Sequence, residues 1–436
     1  MKTVAFHTLG CKVNQVETEE MKEDFVNRGF NIVGFNSKAD IYIINTCTVT
    51  HVSDRKSKAM IRRAIRRNPL AVVAAVGCMA QTDSRQLAEI KGISLIVGNS
   101  DKENIVDIIE NLTMEEKNRT TIVSNPIRAE DKPKTVTYTC KHQRTRAFIK
   151  IQDGCQNFCS YCIIPYTRGP VRSKLPASVV DEIRQLLVIG YREVVLTGIH
   201  TGLYGSDLDG WDLTRLLRFI MEEVKGDYRI RLSSIEPLEM NEQLIKIIAE
   251  EPRLCHHFHI PLQSGSNKIL KAMYRRYTRE FYRELINHIA ISVPDAAFTT
   301  DIMVGFPGEN EEDFSDTYTL IAGLPLMDLH VFKYSPRPGT KASAMPLQVE
   351  EITKRDRSEK LLELARNKYC TFIRRFLNTD MEVLVERELY NDQYIGLSDN
   401  YINVEFSSNN DLRGNFATIK ISSMDSGVLK GELLPI

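Results

Sequence analysis

Asp153-Gly154-Cys155-Gln156-Asn157-Phe158-Cys159-Ser160-Tyr161-Cys162-Ile163-Ile164-Pro165 brings three thiols within eight residues, close enough to serve one metal centre. The stretch follows an apolar run, 147–151, that reads as a strand, and five further candidate strands come after it, at 193–197, 229–233, 256–262, 297–304 and 329–334. Helical stretches begin between them near Pro176, Leu213, Asn241, Asn267, Arg279 and Glu311. Six such units predict a parallel barrel two units short of the eight-fold form, with room for a large substrate. Barrel chemistry sits at the carboxyl ends of the strands, which is where the three thiols fall.

Toward the N-terminus, residues 3–112 alternate strand-like runs, such as Ile41-Tyr42-Ile43-Ile44 and Val72-Val73-Ala74-Ala75-Val76, with amphipathic helical stretches, the pattern of a parallel α/β sheet. Cys11, Cys47 and Cys78 each stand just past a predicted strand, in Thr8-Leu9-Gly10-Cys11, Ile44-Asn45-Thr46-Cys47 and Ala75-Val76-Gly77-Cys78. The crevice of an open α/β sheet lies outside those strand ends, so three residues far apart in sequence are expected to converge on a second three-thiol site. The competing reading of each alone is a buried apolar cysteine. From 112 to 141 the pattern dissolves into polar residues interrupted by Pro126 and Pro133. Residues 349–377 read as one long charged helix, followed by five short alternating strands at 381–386, 394–397, 402–406, 416–421 and 428–433, expected as a small closed antiparallel barrel of a kind that binds nucleic acid. The expected division is an α/β domain at 1–125, a linker at 126–141, the partial barrel at 142–371 and the terminal β-barrel at 372–436.

The 436 residues hold 57 Lys plus Arg and 57 Asp plus Glu, so a polyanion would have to be held by local patches. One such patch is the helix carrying Arg55, Lys58, Arg62, Arg63, Arg66 and Arg67; another is Arg374 and Arg375 with Tyr390, Tyr394 and Tyr401. The longest apolar run, 70–80, is far short of the roughly 20 residues that span a bilayer, so no membrane partner and a cytoplasmic location are expected. Leu9-Gly10-Cys11 superficially resembles a lipoprotein cleavage box, but the residues before it read better as a first strand. Nine cysteines at irregular spacing speak for metal or redox chemistry rather than a disulfide framework.

Structural zinc wants four ligands, and the Cys155 loop offers three. An iron–sulfur cluster on three thiolates leaves one iron able to bind a small molecule. The Cys155-x3-Cys159-x2-Cys162 spacing, with Tyr161 before the last cysteine, closely resembles the radical S-adenosylmethionine superfamily. That resemblance implies that the open iron chelates S-adenosylmethionine, whose reductive cleavage yields a 5′-deoxyadenosyl radical. It also makes Tyr161 and the strand-end residues Thr197, Gly198, Ser234, Glu236, Gln263 and Asp301 candidates for holding the cofactor, although each also has an ordinary turn or capping role.

Nearly the whole chain resembles the tRNA methylthiotransferases, which join a three-cysteine α/β domain, a radical S-adenosylmethionine barrel and a C-terminal TRAM domain. Gly10-Cys11-Lys12-Val13-Asn14, Asn45-Thr46-Cys47-Thr48-Val49-Thr50, Gln152-Asp153-Gly154-Cys155, Pro261-Leu262-Gln263-Ser264-Gly265-Ser266 and Tyr334-Ser335-Pro336-Arg337-Pro338-Gly339-Thr340 carry the resemblance. The forms around Cys11 and Cys47 look most like the branch that modifies threonylcarbamoyladenosine. By this resemblance Cys155, Cys159 and Cys162 hold one 4Fe-4S cluster. Cys11, Cys47 and Cys78 hold a second, which supplies sulfur to carbon 2 of the adenine. The implied partners are a tRNA anticodon stem-loop and an electron donor; the sulfur source is not identified, and no general base stands out. Isopentenyladenosine in tRNA, a ribosomal-protein aspartate, or a non-catalytic iron–sulfur RNA-binding role are the alternatives. Cys140, Cys255 and Cys370 are left as packing residues.

Overall fold

A computed structural model of the chain describes residues 1–113, 119–139, 144–390 and 392–435. They fall into two compact units, the first built from Met1–Thr139, Lys150–Lys174 and Ser335–Ser343 and the second from the rest.

The first unit opens with β1 (Thr3–Thr8), α1 (Lys12–Asn27), β2 (Asn31–Val33), β3 (Ile41–Thr46), α2 (His51–Arg67), β4 (Val72–Gly77), α3 (Cys78–Thr82), α4 (Ser84–Ala88), β5 (Leu95–Val97), α5 (Ile105–Glu110) and β6 (Thr121–Val123). The strands form one parallel sheet in the order β2-β1-β3-β4-β5-β6. Every residue of β3 and β4 is buried, as their unbroken apolar runs require of central strands covered on both faces. One core layer gathers Tyr42, Ile44, Ile61 and Val73, and the opposite layer Val4, Phe25, Ile43 and Ile105. The stretch from 112 to 141, read from sequence as pattern-free, contains β6. Three residues at a sheet edge are too few to show a period, and pairing with β5 supplies what their composition does not.

β7 (Ala147–Asp153) carries the chain from the second unit into the first and ends at the cysteine loop; α6 (Ile164–Arg168) and β8 (Arg172–Ser173) follow, β8 turning back antiparallel on the end of β7. The second unit continues with α7 (Pro176–Val188), β9 (Glu193–Gly198), α8 (Leu213–Glu223), β10 (Arg229–Leu232), α9 (Glu242–Glu250), β11 (His257–His259), α10 (Asn267–Ala272), α11 (Arg279–Ser292), β12 (Ala297–Val304), α12 (Glu311–Gly323) and β13 (Asp328–Lys333). β9 pairs in parallel with β10, and β12 with β11 and β13, as expected of a partial barrel. β11 is shorter than its apolar run, because Pro261 has no N–H to give the ladder.

α13 (Glu351–Arg374) leads into β14 (Asp380–Tyr390), β15 (Gln393–Ser398), β16 (Asn403–Ser407), β17 (Phe416–Asp425) and β18 (Val428–Leu433), a closed barrel in the order β14-β15-β16-β18-β17. The small antiparallel barrel is as expected, with one pair, β16 and β18, running parallel. A ring of five strands cannot alternate direction throughout, so one pair must run the same way. No helix among the described residues is long and apolar enough to cross a membrane.

Candidate metal centres and substrate-facing strand ends

β1, β3 and β4 are neighbours, and their register, Thr8 opposite Asn45 and Asn45 opposite Val76, makes them end level. Cys11, Cys47 and Cys78 leave those three ends together. Gly10 turns the chain with φ +98°, and a Cβ there would lie 2.9 Å from the Cys47 sulfur, so only glycine lets the Cys11 turn approach Cys47 so closely. Asn14 donates through Nδ2 to the Leu9 and Thr46 carbonyls at 2.8 and 3.0 Å, fastening the Cys11 turn to the end of β3. Asn99 stands 3.7 Å from the Cys78 sulfur and donates to the Thr167 carbonyl at 2.8 Å. On the other side of Cys47, Arg337 donates to Thr48 Oγ1 at 2.6 Å and to Asp54 Oδ2 at 2.5 Å.

The Cys155 loop is closed by its own backbone. Cys155 N donates to the Gly169 carbonyl and Cys162 N to the Cys159 carbonyl, both at 3.0 Å, while Gln152 Nε2 donates to the carbonyls of Asp153 and Gly154. Gly154 has φ +79°, and a Cβ would stand 1.8 Å from the Pro170 carbonyl oxygen. The three thiols are half-buried, and all six cysteines of the two candidate sets belong to the first unit.

Arg168 ties the two sets together. It is wholly buried and donates to Glu17 at 2.8 Å, Asp153 at 3.1 Å and Asn14 Oδ1 at 2.6 Å, reaching the residue that fastens the Cys11 turn and the one that begins the Cys155 loop. Lys102 adds a 2.6 Å pair with Glu17 and donates to Asn99, the neighbour of Cys78, and Lys150 pairs with Glu17 at 3.2 Å. Burial opposes ionisation of Glu17, yet Arg168, Lys102 and Lys150 hold it well below the usual carboxylate range. Burial pushes the Cys47 thiol up, so a cation ligated there would have to displace its proton. Arg168 Nε has no partner among the described residues. A buried guanidinium with a spare N–H beside a cluster of thiols fits a thiolate-ligated, net anionic group, and iron–sulfur clusters are of that kind.

In the second unit, Thr197 and Gly198 end β9, and Ser234 and Glu236 follow β10. Glu236 pairs with Arg275 and caps the turn at Pro237–Glu239. Gln263 adopts φ +68° and bridges to β12, donating from N to the Asp301 carbonyl at 2.8 Å. Asp301 lies between His259 and His330, at 3.3 and 3.2 Å. Tyr161, half-buried, belongs to the first unit.

On α2, Arg55, Arg62, Arg63, Arg66 and Arg67 are exposed and Lys58 is half-buried, while Ser57, Ile61 and Ala64 face inward. Arg374 and Arg375 are exposed, but Arg375 is engaged by Asp295 at 3.2 Å. The tyrosine surface expected beside them is corrected. Tyr394 is buried in the core of the terminal barrel and Tyr401 stacks on His257, so among the three only Tyr390 is exposed. Inward alternation along β15 takes Tyr394 to the core. Cys255 is buried, its thiol pushed up to about 12 by burial, and packs as expected; Cys370 is half-buried, and Cys140 lies outside the described residues. Sequence reading missed Arg168, Glu17, His259 and His330, and had Asn14 only as part of the Cys11 motif. A lone arginine after Pro165 carries no signal until its partners are known, whereas His257-x-His259 at strand spacing was a legible one.

The family described as the radical SAM superfamily matches residues 149–321, and the uncharacterized protein family UPF0004 matches residues 3–98. The threonylcarbamoyladenosine tRNA methylthiotransferase MtaB of Bacillus subtilis is 41% identical over 427 residues, covering 97% of this chain and 94% of its own. The protein of the same name in Thermotoga maritima is 36% identical, covering 98% and 96%. The tRNA-2-methylthio-N(6)-dimethylallyladenosine synthase of Clostridium tetani is 35% identical, covering 99% and 96%. Among solved structures, the radical S-adenosylmethionine methyltransferase TsrM of Kitasatospora setae shares the fold with TM-score 0.59 and 15% identity over 78% of this chain and 77% of its own.

Proposed function

The chain belongs to the tRNA methylthiotransferase family, and on that footing we propose that it adds a methylthio group to carbon 2 of N6-threonylcarbamoyladenosine next to the anticodon of tRNA. The observation that carries this reading is the level ending of β1, β3 and β4, which gives a second set of three thiols beside the set in the Cys155 loop. Transfer of a methyl group alone has no use for that second set; insertion of sulfur needs a source. Relatives named for threonylcarbamoyladenosine are 36–41% identical, against 31–35% for those named for dimethylallyladenosine, which favours the former substrate.

In this reading Cys155, Cys159 and Cys162 hold one 4Fe-4S cluster, and Cys11, Cys47 and Cys78 hold the other. Bound there together with S-adenosylmethionine, these groups would supply the radical chemistry and the sulfur atom. The protein's own residues do the positioning. Asn14, Arg168 and Asp153 fix the two thiol loops with respect to each other. The proposed cofactor contacts are Thr197, Gly198, Ser234 and Gln263 in the second unit, with Gly198 allowing close backbone approach, and Tyr161 in the first unit. Glu236 and Asp301, proposed with the residues of the second unit, already serve as ion-pair partners there. The exposed arginines of α2, with Arg374, neutralise RNA phosphates, and the unpaired bases of an anticodon loop suit a protein that reads splayed nucleotides. The reaction draws on an external electron donor and sulfur source and takes place with tRNA in the cytoplasm.

Anaerobic reconstitution tests the reading. About eight irons per chain are expected for two four-iron clusters. Cys155→Ala with Cys159→Ala and Cys162→Ala should abolish 5′-deoxyadenosine release. Cys11→Ala with Cys47→Ala and Cys78→Ala should halve the iron and stop methylthiolation, read by mass spectrometry of digested tRNA. Methylthiolation surviving the second triple substitution overturns the proposal.

A further inference from the structure

β11, β12 and β13 carry a file of polar side chains that neither thiol set uses. Tyr282 of α11 reaches Thr300 Oγ1 at 3.1 Å, so Thr300 faces the helices and its neighbours Thr299 and Asp301 face the barrel interior. Register sets Thr299 opposite His259 and Asp301 opposite His330. Thr299 Oγ1 lies 3.0 Å from His257 Nε2 and 2.8 Å from His259 Nδ1; His259 Nε2 and His330 Nδ1 lie 3.3 and 3.2 Å from the same oxygen of Asp301. At the amino ends of the strands the file is closed by Tyr401 of the terminal barrel, stacked on His257 at 4.4 Å. Toward the carboxyl ends it opens: side-chain exposure is 14% at His259, 25% at Asp301 and 54% at His330. Although burial opposes it, the two imidazoles hold Asp301 well below the usual carboxylate range. An anionic carboxylate gripped from two sides fixes the orientation of both rings.

We propose that His259, Asp301 and His330 read the N6 substituent of the substrate adenosine, with Asp301 orienting the imidazoles and His330, as the imidazolium whose Nδ1–H stays on Asp301, donating from Nε2 to the carboxylate of that substituent. This rests on the proposed threonylcarbamoyl substrate and adds the residues that select it. A threonylcarbamoyl group brings acceptors to the strand ends. A dimethylallyl group brings none, and seating it there strips water from an imidazole and a carboxylate without replacement. The site therefore selects by penalising the hydrocarbon as much as by rewarding the acid. The same three ligand atoms lie within 4.8 Å of one another, a span a divalent cation can also bridge, and the experiment has to separate the two.

The reconstituted holoenzyme is given anticodon stem-loop RNAs bearing N6-threonylcarbamoyladenosine, its threonine methyl ester, or N6-dimethylallyladenosine. Wild-type protein should prefer the acid over both others by about 10- to 100-fold in kcat/KM, the range of one hydrogen bond to a charged group. His330→Phe should raise KM for the acid by a similar factor, lower kcat less, and erase the preference over the ester; His330→Gln, which keeps a donor, should restore part of it. Preference for the acid unchanged in His330→Phe, at full iron content, overturns this inference alone. Preference of the wild type for the dimethylallyl RNA overturns the substrate reading and this one with it. One equivalent of zinc in the wild type that is lost from His330→Phe replaces direct donation with a metal bridge and also overturns it.

Discussion

Arg168 shows what one buried side chain costs and does. Its charge is shut off from bulk solvent and balanced by Glu17 and Asp153, so Arg168→Met leaves two buried carboxylates short of a partner and should destabilise the first unit by about 3–5 kcal/mol. Because Asn14 and Asp153 hang on the same guanidinium, iron content per chain should fall along with the thermal midpoint. Iron analysis and a melting curve on the same sample check both, and full iron with an unchanged midpoint would remove Arg168 from the scaffold. Gly154 is the complementary case. Its left-handed φ and the 1.8 Å approach of a hypothetical Cβ to the Pro170 carbonyl predict that Gly154→Ala opens the Cys155 loop and loses about half the iron, the four atoms of one cluster. At this scale the six thiols were readable because their spacing and strand-end placement are local; Arg168, Glu17 and His330 were not, because a charge inside a protein is explained only by what comes to meet it.

Among elements, β9 and β10 join the barrel to the terminal β-barrel through charge. Glu193 is wholly buried between Arg229 and Arg231, each 2.7 Å away, and those arginines also donate to the carbonyls of Leu397, Ser398 and Asp399. Burial opposes the ionised form, but the arginines bring the Glu193 pKa down to about 2 from 4.5. A depressed acid stabilises the fold above its unfolded value and withdraws that stabilisation as pH falls from about 4.5 to about 2. Denaturation midpoints across that window should therefore drop in the wild type. They should drop less in Glu193→Gln, which starts lower at pH 7. α2 sets a second expectation. Its exposed arginines should each contribute one phosphate contact, so Arg62→Ala with Arg66→Ala should flatten the dependence of log Kd for tRNA on log salt by nearly two. Titrations at several salt concentrations measure the slope, and an unchanged slope takes α2 off the RNA. Helix periodicity made the basic face of α2 visible in advance, whereas Tyr394 was misread because neither direction of a strand's two faces is marked in a short alternating run.

For the molecule as a whole, the terminal barrel is built into the second unit. Ala297 and Met327 of the partial barrel belong to the same buried core as Val383, Phe406 and Ile419, and Phe372 of α13 joins them. Ending the chain at residue 375 should therefore expose that core, leave Arg229 and Arg231 without their carbonyl acceptors, and lower the thermal midpoint of what remains. A truncated protein that melts where the full chain does would instead make the terminal barrel a detachable RNA-binding module. The order of the three architectures along the chain, the two sets of three thiols and the chemistry they imply follow from the sequence alone, because strand and helix periods and ligand spacings are written in neighbouring residues. Tertiary structure decided the rest: the parallel β16–β18 pair that closes a five-strand ring, the strand β6 at the sheet edge, the Arg168 network between the thiol loops and the His259–Asp301–His330 file. Each of these depends on register between strands distant in sequence or on a buried charge meeting its counter-charge, and neither leaves a mark on the residues next to it in the chain.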